Sequence, residues 1–333
     1  MKSDKVIKYL VSVVLAAILL YFSFKGVDWV SFRQGLEECR WMWVALAMLT
    51  SIVSFVIRSE RWRRLMLPID DSIRPITTYN AVCICYLANF VFPRIGEIVK
   101  CGVVSRRQAA VRGDKGSLDN VDKYIGTVVM EKSFDIVSVF ALFAILLVAR
   151  WEKFGAFFTE NVAAPLASGG WKSVVWAALG AVIIGAVVFI IWKMRGRSAF
   201  LGKVSSFLKG LWEGFRICFT SKGGFVFLIY TIALWLSYTV MSWCIIRSLP
   251  VMDGMGFVDA MFVCAAGGLG WIIPVPGGFG AYHGIVALAV SSIYALSWES
   301  GILCATLNHE AQAVTMLVCG IISYFVELFR NRQ

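Results

Sequence analysis

Six apolar runs, at residues 6–24, 41–57, 124–149, 174–192, 225–246 and 301–326, leave this chain few ways to fold in water. Each is close to the length of about 20 apolar residues that a membrane helix needs. Only 16% of the residues are charged, against about 25% in a soluble domain. The expected class is therefore an all-α polytopic membrane protein with about six full transmembrane helices. No stretch between the runs is long enough for a separate soluble domain, so residues 1–333 read as one integral membrane domain. The 13 Trp and 24 Phe suit interfacial belts and lipid-facing surfaces. A net charge of +11 would suit nucleic acid, but the basic residues lie in loops between apolar runs. Membrane orientation accounts for them better, and no nucleic-acid partner is expected.

Two further apolar regions, 76–104 and 257–297, are interrupted by Pro and Gly. Their placement follows from charge. Of the 32 Lys and Arg, 24 fall in segments 1–8, 58–75, 94–123, 193–224 and 327–333. Basic loops stay cytoplasmic, which puts both termini inside a cytoplasmic (inner) membrane. Lys2, Lys5 and Lys8 precede the first run, and no convincing cleavage site follows, so an uncleaved first helix is expected. The loops flanking 76–104 are both basic, so this region enters and leaves on the cytoplasmic side. Its second arm, 94–104, is about 16 Å long as a helix, too short to span. A re-entrant hairpin is expected there. By the same count 257–297 enters from outside, with arms 257–273 and 279–297 that suit either a deep hairpin or two thin spans.

Two broken hairpins entering from opposite faces suggest an inverted repeat, with units at about 41–149 and 225–326. The breaks match as Pro-x-x-Gly, at Pro93 to Gly96 and Pro274 to Gly277. The first helix of each unit ends alike, Val56-Ile57-Arg58-Ser59 against Ile245-Ile246-Arg247-Ser248. A segment at about 197–217 carries apolar residues at helical spacing with Lys and Arg between them, as an interfacial amphipathic helix would.

Polar residues inside the apolar regions are the candidate site, because lipid tolerates them only where they line a cavity or pair with one another. Asn89 ends the entering arm of the first hairpin. Arg94, Glu97 and Lys100 recur at threes and share a helix face. Two readings stay open: a lining for a charged headgroup, or a ladder that neutralises itself. Pro93 and Gly96 break the helix and expose N–H groups that suit an anion. Glu131 and Asp135 share a face near the start of the 124–149 helix, with Lys132 in reach of Asp135. The second break holds Pro274, Pro276, Gly277, Gly278 and Gly280, a density of breakers that lipid-exposed helix cannot tolerate. His283 follows, suited to a phosphate or a proton, or to plain packing. Asn308, His309, Glu310 and Gln312 cluster in the last run, where interhelical hydrogen bonds or a cavity opposite Glu131 are the alternatives. Cys83 and Cys85 lack nearby His partners and read as buried thiols. No metal, cofactor, nucleotide or catalytic motif stands out, and no enzyme activity is expected.

The ordered motifs Asn89…Phe92-Pro93-Arg94-Ile95-Gly96-Glu97, then Glu131-Lys132-Ser133-Phe134-Asp135, then Pro274-Val275-Pro276-Gly277-Gly278-Phe279-Gly280, resemble the transmembrane region of the lysylphosphatidylglycerol synthase/flippase family. Arg61-Trp62 is similar too. The resemblance covers nearly the whole chain and implies a lipid-translocating membrane domain. A soluble synthase domain is not expected here, since helices take up the 333 residues. Two departures bear on the headgroup. Lys132 stands where the family carries Arg, and His283 where an acidic residue is expected.

These readings converge on a lipid flippase moving a phospholipid or lipid-linked headgroup, with the two hairpin tips meeting near the midplane. Arg94 and Lys100 would attract phosphate, and Glu97, Glu131 and Asp135 would balance them or hold a cationic headgroup. The alternative is a non-transporting scaffold for an envelope lipid or glycan enzyme. Membrane lipids and such an enzyme are the expected partners, and a homo-oligomer is left open.

Overall fold

The computed structural model describes residues 2–113, 120–152, 159, 222–273 and 275–330. The expected span 174–192, the amphipathic segment 197–217 and Pro274 lie outside the described residues. The chain divides into two compact units, Met1–Phe143 with Lys222–Gln333, and Ala144–Ser221. The elements discussed below lie in the first unit, apart from residues Ala144–Ala149.

Among the described residues every regular element is helical. The α-helices are α1 (Lys2–Phe24), α2 (Trp29–Glu37), α3 (Trp41–Met66), α4 (Pro75–Val91), α5 (Gly96–Val111), α6 (Val121–Ala149), α7 (Lys222–Ser248), α8 (Phe257–Gly270), α9 (Ala281–Tyr294) and α10 (Trp298–Arg330). Trp41–Met66, Gly224–Ser248 and Trp298–Arg330 are long and apolar enough to cross a membrane. Tyr9–Phe24 and Trp29–Glu37, bent by 86°, make a fourth if taken as one broken span. Gly26 at φ 79° sits in that bend, and the Asp28 carboxylate accepts from the Val30 and Ser31 N–H groups to start α2. Residues 29–37 lie between two of the expected apolar runs, and this cap lets their polar backbone close into a helix.

Large apolar side chains stay exposed along the helices, among them Val14 and Ile18 on α1, Val53 and Val56 on α3, Ile232 on α7 and Ile322 on α10. Such faces suit lipid. Inside, one core joins α3, α7, α8, α9 and α10 through Ala47, Ile245, Val263, Val286 and Cys304. Another joins α3 to α4, α5 and α6 through Trp62, Val82, Cys101 and Tyr124. The most extensive helix pairing is between α3 and α7.

Helix α3 does not end at Val56–Ser59 as expected. It runs two further turns to Met66, because Arg58 and Arg61 find acidic partners within the bundle. The likeness to Ile245–Ser248, where α7 does end, is therefore confined to sequence. The second arm of the first hairpin is also longer than the 94–104 expected. Helix α5 continues to Val111, 16 residues or about 24 Å. Its polar end is satisfied within the protein: Gln108 donates to Asp70 and Ser72, and Arg107 to the Arg330 carbonyl.

Both broken regions turn back on themselves. Helix α4 packs on α5 across the break at residues 92–95, and α8 packs on α9 across 271–280. At the first break the Asn89 Oδ1 accepts from the Gly96 N–H at 2.8 Å. A Cβ on Gly96 would lie 2.1 Å from the Cys85 carbonyl oxygen, so only glycine allows the arms this close. At the second break Gly280 has φ 78° and its α-carbon faces the α1 backbone at Leu19 and Leu20. Helices α8 and α9 have 14 residues each, about 21 Å.

Candidate functional site

Three helices carry charge into the core at helical spacing. Helix α3 presents Arg58 and Arg61, α5 presents Glu97 and Lys100, and α6 presents Glu131 and Asp135. Residues three or four apart share a face, so each helix offers a pair. The pairs interlock. Lys100 Nζ lies 2.7 Å from Glu131 Oε2 and 3.2 Å from Glu97 Oε2. Arg58 Nε and Arg61 Nη2 converge on Glu131 Oε1 at 3.1 and 3.2 Å. The same two arginines reach Asp135 at 3.1 and 2.7 Å. Lys132 closes the outer end on Glu97 Oε1 at 3.0 Å.

The network is graded from wet to dry. Lys132 is exposed at 44% of its side chain, while Arg61 and Glu131 are wholly buried. Stripping water from each ion costs several kcal/mol, which only close pairing offsets. Aromatic faces add to the offset: Lys100 lies 4.4 Å from the Trp62 ring centre, and the Arg61 and Arg58 guanidinium carbons lie 5.5 and 5.9 Å from Phe227 and Tyr86. Among the described residues the tally is four cations, Arg58, Arg61, Lys100 and Lys132, to three acids, Glu97, Glu131 and Asp135, and Arg61 keeps Nε and Nη1 buried without a hydrogen-bond partner there.

The expected Arg94–Glu97–Lys100 ladder forms only in its last step. Arg94 takes φ 63° at the break, which turns it off the α5 face. Its guanidinium instead donates to the Ile272 carbonyl at 2.5 Å, in the other broken hairpin. Phe90 meets Phe279 across the same junction at 6.2 Å between ring centres. The two breaks therefore touch. Helix α4 links this junction to the ion network, since Tyr86 under Arg58 and Phe90 are one turn apart. Lys132 pairs with Glu97 rather than Asp135, because Asp135 is already held by both arginines.

Arg58 and Arg61 were missed as site residues. Arg58 stood at a supposed helix end, and Arg61 only within a family motif. The readable signal was their spacing of three at the close of an apolar run, matched by acids four apart on α6.

His283 and Glu310 lie apart from this network. Glu310 Oε1 stands 3.0 Å from His309 Nδ1 and 3.7 Å from His283 Nε2. His309 Nε2 reaches the Gly277 carbonyl at 2.8 Å. Glu310 thus takes part in a cluster against the second break. Asn308 and Gln312 share a face as expected and bond across to α7, Asn308 donating to Ser242 at 3.1 Å and Gln312 to the Met241 sulfur at 3.7 Å.

In the turn after α3, Asp70 anchors α5. Burial raises its carboxyl pKa, but the Ser72 hydroxyl, the Gln108 amide, the Ser72 N–H and Arg112 outweigh this and hold it below its ordinary value.

An all-helical membrane protein with a buried ion network beside two abutting broken hairpins is the class these features define. The chain belongs to the lysylphosphatidylglycerol synthase TM region family, whose model matches residues 9–320. Comparison with curated proteins and with solved structures finds no match.

Proposed function

We propose that this protein translocates a phospholipid or lipid-linked headgroup across the cytoplasmic membrane. One observation carries the reading: among the described residues the ion network holds one cation more than it has acids, and the buried Arg61 has two donors without a hydrogen-bond partner. A guanidinium fork with free N–H groups suits the oxygens of a phosphate. Lys100 and Arg94, the cations expected to attract phosphate, are occupied by Glu131 and by the Ile272 carbonyl, and Arg58 by Glu131, Asp135 and Tyr238, so Arg61 takes that role here.

The contact of the two breaks supports an arrangement with one hairpin entering from each face. In it, α4–α5 and α8–α9 are re-entrant, since arms of about 24 and 21 Å fall short of the hydrocarbon thickness of about 30 Å. Units 41–149 and 225–326 then form an inverted repeat, with α3 and α7 as its paired first helices. The six-span arrangement with both termini cytoplasmic completes the reading, on the strength of the basic loops. No chemistry is assigned to the chain itself. Its partners are membrane lipids.

A second reading is favoured by how fully the acids are paired. Glu97, Glu131 and Asp135 each hold a cation of the same chain, as in a membrane scaffold for an envelope lipid or glycan enzyme. Liposomes containing the purified protein decide between them. Labelled lipids of several headgroups should cross faster than in empty liposomes, and Glu97→Gln should slow them. Rates no faster than in empty liposomes for every headgroup, with full rescue of a deletion strain by Glu97→Gln, would leave the scaffold.

A further inference from the structure

The chain has only two histidines, His283 on α9 and His309 on α10. Both are buried, and their rings meet at 4.8 Å. One ligand atom each from His283, His309 and Glu310 lies within 4.8 Å of the other two.

The tautomer of His309 follows from its surroundings. Its Nε2 is 2.8 Å from the Gly277 carbonyl oxygen. A carbonyl only accepts, so Nε2 carries the proton and donates it. In the neutral ring this leaves a lone pair on Nδ1. That nitrogen faces Glu310 Oε1, itself an acceptor, at 3.0 Å. Two lone pairs at such a distance repel unless a proton or a cation sits between them. His283 brings a second imidazole to the same carboxylate oxygen at 3.7 Å, and its Nδ1 is buried with no hydrogen-bond partner among the described residues.

The spacing admits a metal ion in place of a single proton once the ligand atoms, up to 4.8 Å apart, close on it. Two ligands at about 2.0–2.1 Å from a tetrahedral ion stand about 3.3 Å apart. The separations from Glu310 Oε1, 3.0 and 3.7 Å, bracket that value. The bond from Nε2–H to a backbone carbonyl is the outer-shell contact that orients a metal-binding histidine. Trp271 stacks on the His309 ring at 5.6 Å and Phe279 meets it edge-on at 4.9 Å, which fixes the ring and keeps its inner side dry. Glu310 is 44% exposed and leaves the outer side open.

We propose that His283, His309 and Glu310 bind a divalent transition-metal ion of the zinc class, with one coordination position open to an oxygen ligand. Two imidazoles and a carboxylate are a donor set that such ions take in preference to magnesium or calcium. The ion would tie α10 to α9 and, through Gly277, to the tip of the second hairpin. The site stands independently of lipid translocation.

The test uses the purified full chain in nanodiscs, stripped with chelator, with Co²⁺ as the probe and Zn²⁺ as competitor. One equivalent of Co²⁺ should bind with visible d–d absorption of a low-symmetry site, and Zn²⁺ should displace it. His283→Ala and Glu310→Gln should each weaken binding by about 10- to 100-fold or more, on the scale of perturbing a metal site. Glu310→Gln keeps side-chain size at a half-exposed position, so it decides the matter should a histidine variant fail to fold. Absence of stoichiometric binding overturns the proposal and leaves an imidazolium–carboxylate pair. So does binding unchanged in Glu310→Gln. An intense thiolate charge-transfer band would assign the ion to the cysteines and overturn it equally.

Discussion

Lys100 Nζ and Glu131 Oε2 form a 2.7 Å ion pair in which both side chains are out of contact with solvent. They come from different helices, and Glu131 is shared with Arg58 and Arg61. Removing one partner of a buried pair strands the others, at about 3–5 kcal/mol. Glu131→Gln should therefore destabilise the protein by that amount in a denaturant titration in mixed micelles. Lys132→Gln removes a cation that is 44% exposed and should cost under about 1 kcal/mol. Equal costs for the two would contradict the wet-to-dry grading of the network.

Helical spacing made part of this network legible in advance. Glu97 with Lys100, and Glu131 with Asp135, could be put on shared faces because 3.6 residues per turn requires it. What spacing cannot supply is which face meets which. Arg58 and Arg61 lie some 70 residues before Glu131 in the chain, and their pairing depends on how α3 rotates against α6. Arg94 was placed wrongly for a local reason: it looked like part of α5, but a positive φ at the break removes it from the helix. The two breaks do touch, through Arg94 with Ile272 and Phe90 with Phe279, but matched spacing in sequence does not by itself require that contact. The joining of His283 to His309 was not legible either, since each sat in its own motif and neither motif implied the other.

The Asn89–Gly96 contact sets how closely α4 and α5 approach. In Gly96→Ala the new methyl would lie 2.1 Å from the Cys85 carbonyl oxygen, a backbone atom with little room to yield. The expected cost is about 3 kcal/mol, the upper end for overpacking. Asn89→Ala leaves the Gly96 N–H without its acceptor and should cost about 1–2 kcal/mol. If Gly96→Ala proved milder than Asn89→Ala in the same titration, the arms would have to be looser than described.

Arg94 separates backbone strain from side-chain bonding. Its φ of 63° suits glycine, and a residue with a Cβ pays about 1–2 kcal/mol there. Arg94→Ala loses the bond to Ile272 and keeps the strain. Arg94→Gly loses the bond and relieves it. The glycine variant should be the more stable of the two by about 1 kcal/mol, measured by thermal unfolding in detergent. An alanine variant at least as stable would place Arg94 in ordinary helix.

Asp70 gives the turn after α3 a dependence on acid. Its folded pKa lies below its ordinary value, so the unfolded chain takes up the proton first as pH falls. The stabilisation is complete above the ordinary carboxylate value of about 3.9 and is lost as pH falls through the lowered folded one. Asp70→Asn should be less stable at pH 7 and should lose less on acidification than the parent. A melting temperature that falls equally with pH in both would assign the acid sensitivity elsewhere.

Arg61 is where the translocation reading is most exposed to test. Arg61→Lys keeps the positive charge beside Glu131 and Asp135, so the ion network retains its balance. It removes the planar fork, and with it the buried Nε and Nη1 donors that have no hydrogen-bond partner among the described residues. If those donors bind a phosphate during transit, the loss of about one charged hydrogen bond, worth about 1.5–3 kcal/mol, should slow transbilayer movement of a labelled anionic phospholipid about tenfold or more. Thermal stability should move far less than in Glu131→Gln, because no acid is stranded. Unchanged lipid movement at unchanged stability would mean that the unspent donors are a packing compromise, and that the network serves to hold α3, α5 and α6 together.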